Sequence, residues 1–282
     1  MCPLSVEQSL LGQDITYPTQ YAPEILFPIA RAPARQAYAH IDGISQGMDW
    51  WHAFELSWLD AQFKPQVAIG RLHVPANSPF LIESKSLKLY FNSLNFKCFA
   101  NQQAFIDCVV QDLSCTANAH IKLELYDADV LTISQPQGIC LDNLNPRAMS
   151  LEPDASLLQR DDRNPTDSNV SNANIVEVNL YSHLLRSNCP VTGQPDWGTV
   201  FIRYEGIKPC YSSLLAYIIS FRQHSGFHEQ CVERIFADIW QQLNPIRLMV
   251  YAAYTRRGGL DINPCRVSDM SWLPSPIRLA RQ

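Results

Sequence analysis

A cysteine and an aspartate, Cys189 and Asp196, lie seven positions apart in a segment rich in proline and glycine. Two prolines and two glycines within residues 187–198 disfavour both a helix and a paired strand, so this segment is predicted to be a loop. Strand patterns precede and follow it, and loops held by rigid strands often carry catalytic groups. A thiolate is a strong nucleophile and a carboxyl group can transfer a proton, so the pair suits covalent catalysis.

Both residues also have structural interpretations. A cysteine in a reduced protein is commonly a small buried residue, and an aspartate in a turn commonly accepts hydrogen bonds from backbone amides. For Asp196 to donate a proton near neutral pH, partial burial would have to raise its pKa. The residues alone leave the catalytic and the structural interpretation of Cys189 and Asp196 open.

Three other segments place polar groups where a ligand could bind. His228 and Glu229 begin the last long predicted helix, although a glutamate in a first turn also complements the helix dipole. Residues 83–90 begin an earlier helix with hydroxyls and two lysines, which suit a phosphate or a carboxylate but also an ordinary amphipathic helix. Residues 256–259 join two arginines to two glycines, a pattern that suits a phosphorylated cofactor or a plain hairpin turn.

The composition is that of an ordinary globular protein. The 282 residues are 46% hydrophobic and carry a net charge of −5, which argues against a nucleic-acid-binding surface over the whole molecule. The nine cysteines include no C-x-x-C pair, which argues for reduced thiols and against a zinc site. The first seventeen residues lack signal-peptide character, and no apolar run approaches the ~20 residues of a membrane span. We therefore expect a cytoplasmic protein with no metal, no membrane contact and no direct nucleic-acid partner.

Hydrophobic periodicity divides the chain into two halves, residues 51–144 and 175–282, each with the predicted order β-β-α-α-β-β. An antiparallel sheet with two helices on one face would bury the apolar stripe of each helix, so the predicted class is α+β. Residues 1–50 are predicted to be an irregular N-terminal arm, and residues 145–174 a linker with at most a short helix near Leu157. The predicted strands cover residues 54–59, 67–74, 120–126, 138–141, 176–184, 199–204, 248–254 and 259–267; the predicted helices cover 83–96, 102–113, 211–222 and 228–243.

Four motifs together resemble those of a known enzyme family. They are residues 83–90, residues 187–189 with 194–198, residues 227–234, and residues 254–264. Their order and spacing, from about residue 51 to the end, are similar to those of the long, two-module form of the NADPH-dependent 7-cyano-7-deazaguanine reductases. These are the nitrile reductases of queuosine biosynthesis. The resemblance does not extend to residues 1–50 or to the linker.

The resemblance implies a tunnelling fold, in which tandem β-β-α-α-β-β modules assemble through their sheets, here as a homodimer. It implies that Cys189 attacks the nitrile carbon to form a thioimide and that Asp196 supplies the proton. His228 is expected to help favour the thiolate. Reduction of a nitrile to a primary amine takes four electrons, hence two hydrides from two NADPH molecules.

The resemblance also implies two sets of binding residues. Two glutamates would accept hydrogen bonds from the ring N–H and the exocyclic amine of the deazaguanine. The implied substrate residues are Ile82, Glu83, Ser84, His228 and Glu229, and the implied NADPH residues are Ser84, Lys85, Arg257 and Gly258. Because Glu83 and Cys189 come from different halves, one composite site per chain is predicted. No G-x-G-x-x-G motif follows a predicted strand, so a Rossmann cofactor site is not expected.

Two other functions share parts of this pattern. A zinc-dependent cyclohydrolase of the same fold would need more ligands than the Cys189 segment, His224 and His228 offer. A non-catalytic purine-nucleotide-binding protein would tolerate the loss of Cys189 and Asp196, yet both are present in their full context. The reductase is therefore the favoured prediction.

Overall fold

The computed structural model describes residues 17–146, 148–161 and 175–282, and the predictions for residues 1–16 and for most of the linker lie outside these ranges. Within them the chain forms ten strands and five α-helices. The strands are β1 (Pro28–Ala30), β2 (Gly47–Leu59), β3 (Pro65–Pro75), β4 (Phe80–Ile82), β5 (Lys122–Tyr126), β6 (Ile139–Cys140), β7 (Ile175–Asn188), β8 (Pro195–Ile207), β9 (Arg247–Tyr254) and β10 (Leu260–Val267). The helices are α1 (Ala32–Arg35), α2 (Ser84–Ser93), α3 (Gln102–Ala117), α4 (Tyr211–Ile219) and α5 (His228–Leu243).

Eight of these strands form one continuous sheet in the order β5-β3-β2-β10-β9-β8-β7-β6. Strand β2 pairs antiparallel with β10 from Gly47 opposite Arg266 to Ala53 opposite Leu260, and this pairing joins the two halves. The second half supplies β7 to β10 in chain order, with α4 and α5 inserted between β8 and β9. The α+β class with tandem antiparallel units is therefore confirmed, and the two units share a single sheet.

The fourth predicted strand of the first half forms as β6 but pairs elsewhere. Ile139 lies opposite Leu180 in a parallel pairing with β7, at the far edge of the sheet from β5. Gly138 allows this approach, because its φ is +114° and a Cβ there would lie 2.4 Å from the carbonyl oxygen of Asn179. The first half thus contributes β2, β3 and β5 to its own end of the sheet.

The helices cover one face of the sheet in two apolar cores. In the second half, α5 buries Val232, Ile235 and Ile239 against strand residues such as Val200 and Ile202, as its stripe predicts. In the first half, α2 and α3 pack on β2 and β3, and the rings of Trp58 and Phe105 stack with centroids 4.2 Å apart. Each fully buried aliphatic side chain stabilises the fold by about 1.5–3 kcal/mol relative to its exposed state. These cores hold α2 and α5 in place on the sheet.

The described part of the N-terminal arm, residues 17–46, packs on both cores. Leu26 joins the core of the first half, whereas Ile41 and Ile44 join that of the second. Strand β1 in the arm pairs with β4, which ends just before α2. The sheet itself begins earlier than predicted, at Gly47, because residues 47–50 pair on both sides with β3 and β10.

Two smaller features complete the description of these ranges. The linker residues that the structure describes include a single turn of 3₁₀ helix, Ala155–Leu157, beside the predicted position at Leu157. In the described part of the chain, no helix is both long and apolar enough to cross a membrane. The boundaries of the two modules, residues 51–144 and 175–282, stay predictions.

Candidate active site

The predicted catalytic segment is a tight hairpin between β7 and β8. The ladder continues through Ser187 opposite Asp196 to Asn188 opposite Pro195, so the prediction of a loop over all of residues 187–198 was wrong. Pro195 is tolerated because it is the first residue of its strand, where a missing N–H leaves the ladder intact. Asp196 therefore extends from a strand, and Cys189 begins the short connection that precedes it.

Hydrogen bonds tie this hairpin to the start of α5. The Asn188 amide donates to the His224 carbonyl oxygen (2.8 Å), and the Gly226 amide donates to the Asn188 carbonyl oxygen (3.1 Å). Two residues after Gly226, α5 begins with His228 and Glu229. The nucleophile and the first turn of α5 are thus held by the same few backbone contacts.

A cleft between the two halves collects most of the predicted site residues. It is open to solvent and lies where β4, α5, β8 and the β7–β8 hairpin meet. Both halves contribute, as the prediction of a composite site requires. The predicted residues that line the cleft are Ile82, Ser84, Cys189, Asp196, His228, Glu229 and Arg257.

The buried carboxylate of Asp196 is paired with Arg257. Arg257 Nε lies 2.8 Å from Asp196 Oδ1, and its Nη2 donates to Oδ2 at 3.2 Å. A third nitrogen, Nη1, donates to Gln194 Oε1 (2.9 Å), so the guanidinium is fixed in the plane of the carboxylate. From the other side, His228 Nε2 lies 3.5 Å from Asp196 Oδ2. Arg257, predicted from the resemblance as a cofactor residue, therefore contacts the predicted proton donor directly.

The environment of Cys189 favours the thiolate. Burial raises the pKa of the thiol, but hydrogen bonds from the Thr192 hydroxyl, from the Thr192 and Val191 amides and from Arg257 outweigh it, and the pKa lies below its usual range. These groups come from the hairpin connection itself and from Arg257. His228 was expected to supply this effect, whereas the structure places it against Asp196 and against the ring of Tyr254, 4.0 Å between centroids.

Thr192 gives a direct test of this arrangement. Thr192→Val removes the hydroxyl that helps to hold the pKa of Cys189 below its usual range, so the pKa should rise. We expect alkylation of Cys189 at about pH 7 to slow by about fivefold, since one hydrogen bond contributes ~1 kcal/mol. Peptide mass spectrometry after timed iodoacetamide exposure measures the rate at Cys189 alone. Thr116→Val, which removes a hydroxyl on α3 that bonds only the Asp112 carbonyl, is the matched control and should leave that rate unchanged.

Glu83 takes a different position from Glu229, the other glutamate among the predicted substrate residues. Its buried carboxylate caps α2 by accepting hydrogen bonds from the amides of Lys85 (2.6 Å) and Ser86 (2.8 Å). Burial raises its pKa, and these amide contacts oppose the shift. Glu83 adjoins Ser84 on the cleft wall without lining the cleft itself.

Glu229 lines the cleft and is fully buried. Burial raises its pKa to about 7, and the negative charge of Asp49 adds to the rise, whereas Arg31 and Arg266 oppose it. Its charge at neutral pH therefore depends on groups behind the cleft.

A second cavity, open to solvent, lies next to the cleft beyond Arg257. Gly258, whose φ is +58°, lines it together with Lys88, and a Cβ at Gly258 would lie 3.1 Å from Lys88 Cδ. Lys88 Nζ lies 3.7 Å from Glu55 Oε2, which lines the same cavity, so a phosphate group bound here would meet a cation, bare glycine backbone and one carboxylate. Of the predicted cofactor residues, Ser84 and Arg257 line the cleft and Gly258 lines this cavity, whereas Lys85 follows Ser84 on α2 and lines neither.

Several residues at the site were not predicted. Phe227, Ile262 and Lys88 lie inside the four motifs, so the motifs could have predicted their place at the site. Ile29 and Trp51 line the cleft from β1 and β2, and only long-range strand pairing brings them there.

Comparisons with known proteins show the family of the chain. A family model described as "Nitrile reductase, 7-cyano-7-deazaguanine-reductase N-term" matches residues 17–125, and one described as "QueF-like protein" matches residues 195–271. An Acinetobacter baumannii protein named NADPH-dependent 7-cyano-7-deazaguanine reductase is 66% identical over 279 residues, 99% of this chain and 100% of the relative. The chain belongs to the 7-cyano-7-deazaguanine reductase family.

Other relatives within this reductase family carry the same name. A protein from Acinetobacter baylyi is 66% identical over 279 residues, and one from Psychrobacter cryohalolentis is 51% identical over 285 residues, covering 97% of this chain and 98% of the relative. The match to a solved structure of the archaeosine synthase QueF-Like in the apo form covers 33% of this chain and 92% of that chain, at 18% identity and a TM-score of 0.30. The resemblance drawn from the four motifs is thus confirmed at the level of the family.

Proposed function

We propose that this protein reduces the nitrile of 7-cyano-7-deazaguanine to the primary amine of 7-aminomethyl-7-deazaguanine with NADPH, in queuosine biosynthesis. The observation that carries the proposal is a cleft in which Cys189, with the pKa of its thiol held below the usual range, lies with Asp196 and Glu229. The full-length relatives named for this NADPH-dependent activity support it.

The first step belongs to Cys189 and Asp196. The Cys189 thiolate adds to the nitrile carbon, forming a C–S bond, and the nitrile nitrogen takes a proton from Asp196. The product is a thioimide, whose C=N carbon accepts a hydride more readily than the nitrile does. Asp196 is ion-paired with Arg257 in this structure, so the carboxylate has to gain a proton before it can donate one.

Cys189 leaves again during the reduction. NADPH, when bound, supplies the two hydrides that a four-electron reduction requires. After the first hydride is accepted, the C–S bond breaks and its electron pair returns to Cys189, which leaves an imine. This imine would be reduced in turn, and two hydrides with two protons in total would convert C≡N to CH2–NH2.

The other residues of the cleft bind and orient. Glu229 would accept hydrogen bonds from the donor edge of the deazaguanine, and Glu83 would be the second carboxylate to do so. His228 would line the ring of the deazaguanine. Ile82 and Ser84 would form the opposite wall. Ser84, Lys85, Arg257 and Gly258 would hold NADPH between the cleft and the second cavity, and Lys88 lines that cavity with Gly258. We further propose that the protein acts as a homodimer in the cytoplasm, without a membrane or direct nucleic-acid partner.

Adjacent arginines allow a matched test of the cofactor assignment. Arg257→Gln should weaken NADPH binding by about ten- to a hundredfold, since hydrogen bonds to charged groups contribute roughly 1.5–3 kcal/mol. Arg256→Gln is the control, because the Arg256 guanidinium lies over the ring of Phe54, 4.7 Å from its centroid, and should leave binding unchanged. Titration calorimetry with NADPH measures both. Equal losses in the two variants would count against a specific role of Arg257.

The activity itself is tested by incubating the protein with 7-cyano-7-deazaguanine and NADPH. About two NADPH should be oxidised per amine formed, since each supplies one hydride. Intact-protein mass spectrometry with the nitrile alone should detect a covalent adduct on the protein. Neither turnover nor adduct would contradict the proposal and favour a non-catalytic purine-binding protein.

A further inference from the structure

Five charged side chains are buried together behind the cleft, in what we call the arginine cluster. Its members are Arg31, Arg35, Asp49, Glu233 and Arg266, and at most 14% of any of their side chains is exposed. They come from the N-terminal arm, from β2, from α5 and from β10. Three guanidinium groups face two carboxylates, so the cluster carries an excess of one positive charge.

Four short contacts hold the cluster together. Asp49 binds Arg31 Nη2 through Oδ2 and Arg266 Nη1 through Oδ1, both at 2.6 Å. Glu233 Oε1 accepts hydrogen bonds from Arg266 Nη2 (2.7 Å) and Arg35 Nη2 (2.6 Å). Arg31 Nη1 lies 3.6 Å from Glu233 Oε1 and, like Arg35 Nε, is a buried atom without a hydrogen-bond partner among the described residues. Arg31 therefore has positive charge that the two carboxylates do not fully neutralise and an N–H donor that is not hydrogen-bonded to Asp49 or Glu233.

Glu229 is the nearest carboxylate outside the cluster along α5. It lies one turn before Glu233 and hence on the same side of the helix. Ile29, two residues before Arg31, lines the cleft together with Glu229. An ionised Glu229 would add a third negative charge beside the cluster and offset its excess positive charge.

The charges around Glu229 act in opposite directions. Behind the cleft, Asp49 raises its pKa, whereas Arg31 and, less strongly, Arg266 lower it. On the cleft side, Asp196 on β8 is already paired with Arg257 and faces His228, and Cys231 on α5 stays a neutral thiol because burial raises its pKa to about 12. Arg31 is thus the strongest positive influence on Glu229, and it comes from the arm.

We propose that Arg31 is a positioning residue that keeps Glu229 ionised to bind the donor edge of the deazaguanine, which makes the N-terminal arm part of the substrate site. The inference rests on the proposed function. An ionised carboxylate only accepts hydrogen bonds and matches adjacent N–H donors, whereas a protonated one presents a donor of its own against them.

The test measures binding of 7-cyano-7-deazaguanine as a function of pH, in a Cys189→Ala background that prevents covalent capture. In this background, affinity should fall as pH drops through about 7, where Glu229 takes up a proton. Arg31→Met should move this fall to higher pH, with affinity about fivefold weaker at pH 7, the change expected when the pKa of a half-ionised group rises by roughly one unit, and close to the background value at about pH 9. Arg31→Lys, which keeps the charge, should restore most of the affinity.

Two variants in the same cluster sharpen the test. Arg35→Met removes a guanidinium that contacts Glu233 but is not among the main charges acting on Glu229, so its pH profile should match that of the background protein. Asp49→Asn removes the charge that raises the pKa of Glu229, so its profile should move to lower pH. If the pH profile of Arg31→Met does not move, or if its affinity falls equally at every pH, the proposal is overturned and Arg31 is a structural residue.

A readout without substrate separates this inference from the proposed function. The carboxyl band of Glu229 can be followed by infrared spectroscopy against pH and identified by its loss in Glu229→Gln. If this band titrates at higher pH in Arg31→Met while no nitrile is bound or reduced, the proposed function fails and the control of Glu229 by Arg31 stands. A band that does not move overturns the role of Arg31 whatever the substrate proves to be.

Discussion

Cys189→Ala should abolish nitrile reduction, lowering turnover by about 10⁴- to 10⁶-fold, because covalent catalysis loses its nucleophile. The covalent adduct with 7-cyano-7-deazaguanine should disappear at the same time. NADPH oxidation followed by absorbance and intact-protein mass spectrometry measure the two effects on one sample. The alanine removes a single sulfur from a residue next to a strand end, so the fold should be unaffected.

The matched control is Cys231→Ala. Cys231 is also buried, on α5 near the cleft, but burial raises the pKa of its thiol to about 12, so it is protonated and unreactive near neutral pH. Turnover and adduct should both persist in this variant. An adduct that survives in Cys189→Ala and disappears in Cys231→Ala would identify Cys231 as the nucleophile. That result would refute the proposed first step.

Asp196→Asn should lower turnover by about 10²- to 10⁴-fold, the usual contribution of a positioned proton donor. The amide keeps the size of the carboxylate and lies in the same strand, opposite Ser187, so the hairpin should retain its geometry. Pre-steady-state kinetics with the nitrile and NADPH should show the loss in the chemical steps.

Gln194→Ala separates proton donation from the anchoring of Arg257. Asp196→Asn also weakens the ion pair with Arg257, and Gln194 is another side chain that binds this guanidinium, through Nη1. If loose positioning of Arg257 were the cause of the loss, Gln194→Ala should reduce turnover to a similar extent. We expect it to stay close to the parent, and a comparable loss in both variants would contradict the role of Asp196 as proton donor.

Sequence periodicity predicted the elements that carry the site because their signals are local. Helix α5 has the predicted bounds of residues 228–243, since its apolar stripe and its polar first turn both lie within the helix. The hairpin was less predictable. Proline and glycine mark a turn but do not say how far a ladder continues toward it, and so Asp196 was expected in a loop rather than in β8.

What the sequence could not predict depends on pairing between distant residues. Strands β1 and β4 have three residues each, too few for an alternating pattern, and they form because the arm returns to lie beside residues 80–82. The arginine cluster follows from that return: Arg31 and Asp49 lie within the predicted arm, and Glu233 and Arg266 belong to the second half. Hydrophobic patterns carry no signal for such a cluster, because its members are charged and belong to different elements.

The seam between β2 and β10 has a consequence for synthesis of the protein on the ribosome. Residue 53 pairs with residue 260, so one edge of β2 keeps unpaired N–H and C=O groups until more than three-quarters of the chain has been made. Contacts between residues this far apart in sequence form late and slowly. The nascent first half therefore exposes a strand edge during translation, and the cleft that both halves share forms only when the last strands emerge.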